Sequence, residues 1–116
     1  MNNPYRTVAV LLIVALFIIG SFPATGEAFP GAMHWAVHFC YYALITFTLG
    51  LGWQKMQLTH IALIVAGIGV VHELTEIITH SHRFETEDAI VNAIGALTGA
   101  VALYTIRKLR QSVRNS

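Results

Sequence analysis

Four apolar stretches dominate the pattern of hydrophobic and polar positions along this chain. None alternates apolar and polar residues with the period of two that marks a half-buried strand. Three have the length of about 20 residues that a helix needs to cross a bilayer, and the first is slightly shorter. Because lipid admits only helices or closed barrels as spanning structures, the pattern predicts four helices. They cover residues 7–22, 33–53, 58–78 and 88–106.

Composition also indicates a membrane protein. Of the 116 residues, 55% are hydrophobic and 11% are charged, whereas soluble proteins carry about 25% charged residues. The length suits one compact unit. We therefore predict an all-α membrane protein in which residues 1–116 form a single four-transmembrane-helix bundle.

The first stretch has a second interpretation. Arg6 precedes a short apolar run, and Ala24-Thr25-Gly26 has the small residues of a cleavage site. These features are typical of a secretory signal peptide. We prefer a transmembrane helix, because the sequence after this run is again apolar and contains no soluble domain for export.

Basic residues predict the orientation of the bundle. Four helices place both termini on one side of the membrane, together with the turn between the second and third helices. The side richer in Lys and Arg is the cytoplasmic one. The opposite side holds only Arg83, so we expect both termini in the cytoplasm. The basic residues on the predicted cytoplasmic side are Arg6, Lys55, Arg107, Lys108, Arg110 and Arg114.

Ionisable side chains are concentrated in the predicted outer half of the chain. His60 is the one histidine on the cytoplasmic side. The outer acidic residues are Glu27, Glu73, Glu76, Glu85, Glu87 and Asp88. The outer histidines are His34, His38, His72, His80 and His82.

The segment His72-Glu73-Leu74-Thr75-Glu76 places two carboxylates and an imidazole inside the third apolar stretch. A charged side chain at the membrane centre costs about 2.5–3.5 kcal/mol by insertion scales, so such groups face a bundle interior or a polar cavity. One interpretation is a structural pair in which Glu73 or Glu76 stays protonated. The other, which we favour, is a site for a cationic, metal or proton ligand.

Helical spacing indicates which polar groups can meet. Residues three and four apart share a helix face, and Gly95-x-x-x-Gly99 marks the packing face of the fourth helix. Asp88 and Asn92 lie on that face, so they should point inward. The sequence therefore predicts a ligand-binding or buried polar cluster of His38, His72, Glu73, Glu76, Asp88 and Asn92.

A metal ion is an alternative ligand for this region. His72-Glu73-x-x-Glu76 is similar to the H-E-x-x-H zinc pattern, with glutamate in place of the second histidine. An open zinc site needs three protein ligands of these types. The candidate metal ligands are His34, His38, His72, Glu76 and His80.

The loop after the third helix contains His82 and Arg83. A guanidinium group matches the geometry of phosphate, so these residues are candidates for headgroup contacts. The acidic neighbours Glu85 and Glu87 favour the alternative of a solvated turn, and both interpretations stay open.

The run from Glu73 to Gly99 resembles the C-terminal signature of VanZ-like membrane proteins. That signature reads approximately E-x-x-Q, a short loop with arginine, and D-x-x-x-N-x-x-G-x-x-x-G. The segment His38-Phe39-Cys40-Tyr41-Tyr42 is similar to the H-F-x-x-Y of the family. The residues that match the C-terminal signature are Glu73, Asp88, Asn92, Gly95 and Gly99.

This chain departs from the family pattern at several polar positions. Glu76 stands where the family has glutamine, and His82 falls at the arginine spacing, with Arg83 shifted by one. His34-Trp35 replaces an Asp-Lys pair. The resemblance implies a small integral protein of the bacterial cytoplasmic (inner) membrane, from a family associated with glycopeptide-antibiotic resistance.

Together these features predict a protein that binds an envelope amphiphile or its headgroup, with membrane lipids as partners. The alternatives are an accessory or structural subunit of a larger membrane complex and a metal-binding membrane protein. No serine or threonine is paired with a base, which favours a non-catalytic role and leaves enzymatic activity open. The net charge of +1 and the lack of a basic stripe argue against nucleic acid.

Overall fold

The structure, a computed structural model, describes residues 3–20, 32–80 and 86–116, without the side chains of Ala32, Thr79 and His80. Within these ranges the chain forms four helices and no strand, so the predicted helical bundle is confirmed. The helices are α1 (Pro4–Gly20), α2 (Ala32–Gly52), α3 (Leu58–His80) and α4 (Thr86–Asn115).

Three of these helices, α2, α3 and α4, are long and apolar enough to cross a membrane. Helix α1 is also apolar but has only 17 residues, close to the lower limit of about 17 for a spanning helix. Helix α4 continues to Asn115, well past the predicted end at residue 106. Hydropathy reports where the apolar stretch stops, whereas the polar residues that follow are good helix formers and allow the helix to continue.

Helix α2 is the centre of the bundle. It packs most extensively against α4 and also contacts α1 and α3, while α3 packs against α4. Helix α1 lies against α2 and, over a smaller area, against α3. Side chains from α2, α3 and α4 form the apolar core between them, consisting of Tyr42, Ile45, Ile61, Val65 and Ala96.

Two glycines of α4 bring its backbone against that of α2. A Cβ atom built on Gly99 would lie 2.6 Å from the carbonyl oxygen of Ala43, and one on Gly95 would overlap the carbonyl oxygen of Phe39. Small residues permit this close approach in membrane bundles. The contact fixes the position of α4 along and around α2.

One end of the bundle, which we call the basic end, is built around the C-terminus of α2. Arg6 donates its Nε hydrogen to the Gly52 carbonyl at 2.7 Å, and Arg107 donates to the carbonyls of Met56 at 2.9 Å and Gly50 at 3.3 Å. The last carbonyls of a helix have no partner within it and carry partial negative charge. Arg6 and Arg107 therefore satisfy the Gly52 and Gly50 carbonyls at the end of α2, and Arg107 also binds the following turn at Met56. These contacts anchor α1 and α4 to the end of α2.

Candidate functional site

The opposite end of the bundle, which we call the polar end, joins α2 to α4 through side chains. His34 Nε2 lies 3.2 Å from Asp88 Oδ2, and His38 Nδ1 lies 2.8 Å from Asn92 Oδ1. The two pairs have the same sequence separation, 54 residues, so α2 and α4 run parallel at this end. Each helix contributes residues four apart, which lie on one face.

The hydrogen bond to Asn92 determines which nitrogen of His38 carries a proton. The amide oxygen of Asn92 can only accept a hydrogen bond, so Nδ1 of His38 donates. In a neutral ring, Nε2 is then left with a free lone pair. A lone pair of this kind can accept a proton or bind a metal ion.

Two polar atoms of α4 have no hydrogen-bond partner among the residues that the structure describes. They are Oδ1 of Asp88 and Nδ2 of Asn92. Asp88 is 2% exposed and Asn92 is 3% exposed. A buried polar atom without a partner costs about 1–3 kcal/mol, so these two atoms mark a place suited to a ligand.

A second polar group belongs to α3. His72 and Glu73 are buried, and His72 Nε2 lies 3.5 Å from Glu76 Oε1, one helical turn further on. The ring of Phe17 meets the His72 ring edge-on, with centroids 5.8 Å apart. A Cβ on Gly20 would overlap the His72 ring, so the end of α1 covers this imidazole closely.

The two groups are neighbours. The ring centroids of His38 and His72 are 6.4 Å apart, and those of His34 and His38 are 4.4 Å apart. Within each group, three ligand atoms lie within 4.8 Å of one another. One group is His34, His38 and Asp88, and the other is His72, Glu73 and Glu76.

The structure brings the residues of the predicted cluster to the polar end. The sequence indicated that the polar side chains of α3 and α4 face inward, without assigning their partners. In the described part of the chain, Asp88 and Asn92 pair with His34 and His38 of α2. The helix faces were predictable, but the partners were not.

The expected metal ligands do not form one set. Asp88 joins His34 and His38, whereas Glu73 joins His72 and Glu76. The side chain of His80, and all of His82 and Arg83, lie outside the described residues.

Tyr42 stood out in the sequence only as the last residue of the H-F-x-x-Y segment and was not assigned to the polar cluster. This tyrosine is 1% exposed, and its hydroxyl has no hydrogen-bond partner within the described ranges. A Cβ on Gly69 would lie 3.3 Å from the Tyr42 ring and 3.7 Å from Cβ of Asn92. The available signal was its position four residues after His38, on the same face of α2.

A groove at the basic end presents several guanidinium groups. Leu103 and Gly50 form part of its wall, together with Arg107, Arg110 and Arg114. This groove lies at the other end of the bundle from the histidines and is separate from the polar cluster.

Comparisons with protein-family models, with curated proteins and with solved structures find no match for this chain. The side chains of the site themselves indicate its chemistry. Imidazoles and carboxylates from α2, α3 and α4 converge at one end of a bundle with membrane-length helices. This arrangement can hold a proton, an ammonium group or a metal ion.

Proposed function

We propose that the chain is a VanZ-like protein of a bacterial inner membrane that binds the headgroup of an envelope amphiphile at its polar end. The observation that carries the proposal is the group of His72, Glu73 and Glu76 near the end of a helix of membrane length. Ionisable groups within spanning helices mark ligand or ion sites as a rule. Their position near a helix end suits a headgroup better than an acyl chain.

The chemistry of this group favours a headgroup that carries an amine. Carboxylates bind ammonium groups through charge-assisted hydrogen bonds. The side chain of Glu76 is 17% exposed, while Glu73 is 1% exposed. Glu76 is therefore the carboxylate that a headgroup can reach, whereas Glu73 is enclosed by the protein.

The proposed orientation places the polar end at the outer leaflet. Arg6 and Arg107 lie at the basic end, and Lys55 lies in the turn at that end, between α2 and α3. Positive residues favour the cytoplasmic side. A chain with Ser116 replaced by cysteine, in a Cys40→Ser background, should react with a membrane-impermeant maleimide only after cells are permeabilised. Labelling in intact cells would reverse the orientation.

Native mass spectrometry of the detergent-purified protein tests headgroup binding, with phosphatidylethanolamine as the probe and phosphatidylglycerol as the lipid without an amine. We expect retention of phosphatidylethanolamine to fall about tenfold in Glu76→Gln, equivalent to about 1.4 kcal/mol. Glu87→Gln is the matched control, because Glu87 is an exposed carboxylate at the same end. It should retain the lipid like the parent.

Two results would contradict headgroup binding at this site. One is equal retention of both lipids by the parent protein. The other is equal retention of phosphatidylethanolamine by the parent and Glu76→Gln, with both proteins folded by circular dichroism.

A further inference from the structure

We propose that His34, His38 and Asp88 form a binding site for a divalent transition-metal ion, with Zn²⁺ as the ion that fits best. Three potential ligand atoms of these residues lie within 4.8 Å of one another. Two imidazoles and one carboxylate are the protein ligands of zinc sites that keep a fourth position open. Metal binding here does not require the headgroup binding proposed above.

The two histidines have the spacing of a helical zinc site. His34 and His38 are four residues apart on α2, as are the paired histidines of helical H-E-x-x-H sites. Their ring centroids are 4.4 Å apart, so both rings border the same space. Asp88 completes the set from α4, and the contact of Gly95 with the Phe39 backbone holds α4 against this part of α2.

The distance between His34 and Asp88 suits a shared metal ion. Zinc binds histidine nitrogen and carboxylate oxygen at about 2.0–2.2 Å, so two such ligands at a tetrahedral angle lie about 3.3 Å apart. The separation of His34 Nε2 and Asp88 Oδ2 is 3.2 Å. An ion can therefore bridge these two atoms with little movement of either side chain.

Asn92 orients the second imidazole in the way that metal-binding histidines are usually oriented. Such a histidine donates its other ring hydrogen to an oxygen acceptor, which fixes the tautomer. Nδ1 of His38 donates to Asn92 Oδ1 at 2.8 Å. The lone pair of Nε2 is then available for the metal, and Asn92 is a positioning residue rather than a ligand.

Asp88 supplies an independent reason to expect a cation. Its carboxylate is 2% exposed, and Oδ1 has no hydrogen-bond partner in the part of the chain that the structure describes. A buried carboxylate oxygen without a partner is destabilising. A bound divalent ion would neutralise this carboxylate and satisfy its oxygens.

Metal analysis of protein purified without a histidine tag and reloaded with Zn²⁺ tests the proposal. We expect one zinc ion per chain in detergent that contains no phosphatidylethanolamine. His34→Gln and Asp88→Asn should each lower zinc affinity at least tenfold. His60→Gln is the matched control, because His60 is exposed in the first turn of α3, at the basic end, and it should bind zinc like the parent.

Co²⁺ substitution provides a second readout, because its visible absorption reports the ligands directly. Asn92→Ala should weaken metal binding about 10- to 100-fold, as loss of a residue that orients a ligand does, while the Co²⁺ spectrum at saturation stays that of the parent. Circular dichroism and gel filtration in detergent show whether each variant is folded. His34 is partly exposed, so His34→Gln tests the site even if Asp88→Asn does not fold.

Several results would overturn the assignment. They are a parent protein without stoichiometric zinc, a folded His34→Gln variant that binds zinc like the parent, and loss of zinc in His60→Gln. Loss of zinc in His72→Gln with full binding in His34→Gln would place the ion in the α3 group instead. Retention of zinc by Glu76→Gln, together with its loss of phosphatidylethanolamine, would separate the metal site from the headgroup site.

Discussion

The polar side chains at the two ends of the bundle have different kinds of partner. At the basic end, charged side chains bind the backbone: Arg6 and Arg107 donate to carbonyls at and after the C-terminus of α2. At the polar end, side chains bind side chains, as in the pairs His34–Asp88 and His38–Asn92. The arginines of the basic end satisfy carbonyls at a helix terminus. The polar end contains buried polar atoms of Asp88 and Asn92 that can still bind a ligand.

This difference separates stability from binding. Every helix has carbonyl groups at its C-terminus without a partner inside the helix, and guanidinium groups bind them here. We therefore expect the basic end to hold the helices together. Imidazole and carboxylate groups placed by two helices are an unusual arrangement within a membrane-length bundle, where ionisable groups are costly. The polar end is therefore expected to carry the ligand chemistry.

The largest expected effect comes from breaking the close backbone contact between α2 and α4. Gly95→Val would force side-chain atoms into the carbonyl of Phe39 and push α4 away from α2. We expect a loss of about 3 kcal/mol of stability, the upper end of the range for overpacking because the clash is with backbone, together with loss of zinc binding. Unfolding in mixed detergent, followed by circular dichroism, measures the first effect. Gly67→Ala is the control, because a Cβ on Gly67 has no neighbour within 4 Å; equal stability of the two variants would contradict the packing argument.

The next effect distinguishes the two ends directly. Arg107→Gln removes the donor to the Met56 and Gly50 carbonyls, and charge-assisted hydrogen bonds of this kind contribute about 1.5–3 kcal/mol. We expect a lower unfolding midpoint in mixed detergent with unchanged zinc affinity. Asp88→Asn should show the opposite pattern, with lost zinc binding and a smaller change in stability. A parallel loss of both properties in Arg107→Gln would mean that the ends are not separable.

A smaller effect is expected for Arg6, the second arginine that binds the C-terminus of α2. Arg6→Gln removes the hydrogen bond to Gly52 and the cation–π contact with Trp53, whose ring centroid lies 5.2 Å from the guanidinium. Arg6 is exposed, and an exposed cation–π contact contributes about 0.5–1 kcal/mol. The same unfolding measurement should give a smaller shift than for Arg107→Gln, and Arg110→Gln serves as the control for loss of charge. A larger shift for Arg6→Gln would reverse the ranking of the two arginines.

The smallest expected loss of stability concerns Tyr42. Its hydroxyl is buried and has no hydrogen-bond partner within the described ranges, so Tyr42→Phe removes no interaction seen there. Because a buried hydroxyl without a partner is destabilising, we expect the unfolding free energy to rise by up to about 1 kcal/mol, with unchanged zinc affinity. A marked fall in phosphatidylethanolamine retention in this variant would extend the headgroup site to the phenol.

The sequence predicted the four helices because apolar stretches of membrane length have few alternatives. It also indicated the inward face of α4, since Gly95, Gly99 and Asn92 share a helical stripe. It did not predict where α4 ends, because hydropathy marks the end of the apolar stretch and not the end of the helix. The true end at Asn115 depends on helix propensity outside that stretch.

The pairing at the polar end was not predictable from helix faces alone. Which histidine meets Asp88 depends on the rotation and the axial shift of α2 relative to α4, and hydrophobic periodicity determines neither. The close contact at Gly95 and Gly99 sets both. A pattern that places Asp88 and His34 on inward faces is therefore compatible with several partners, and the three-dimensional packing selects one.

The direct contact of α2 with α4 has a mechanical consequence. Because the backbone of α4 lies directly against that of α2 at Gly95 and Gly99, these two helices should tilt as one body when bilayer thickness changes. The 3.2 Å spacing of His34 and Asp88 would survive such tilting. His38 belongs to α2 and His72 to α3, and their ring centroids are 6.4 Å apart. A change in bilayer thickness would therefore alter the distance between the two polar groups before it alters the distance between His34 and Asp88.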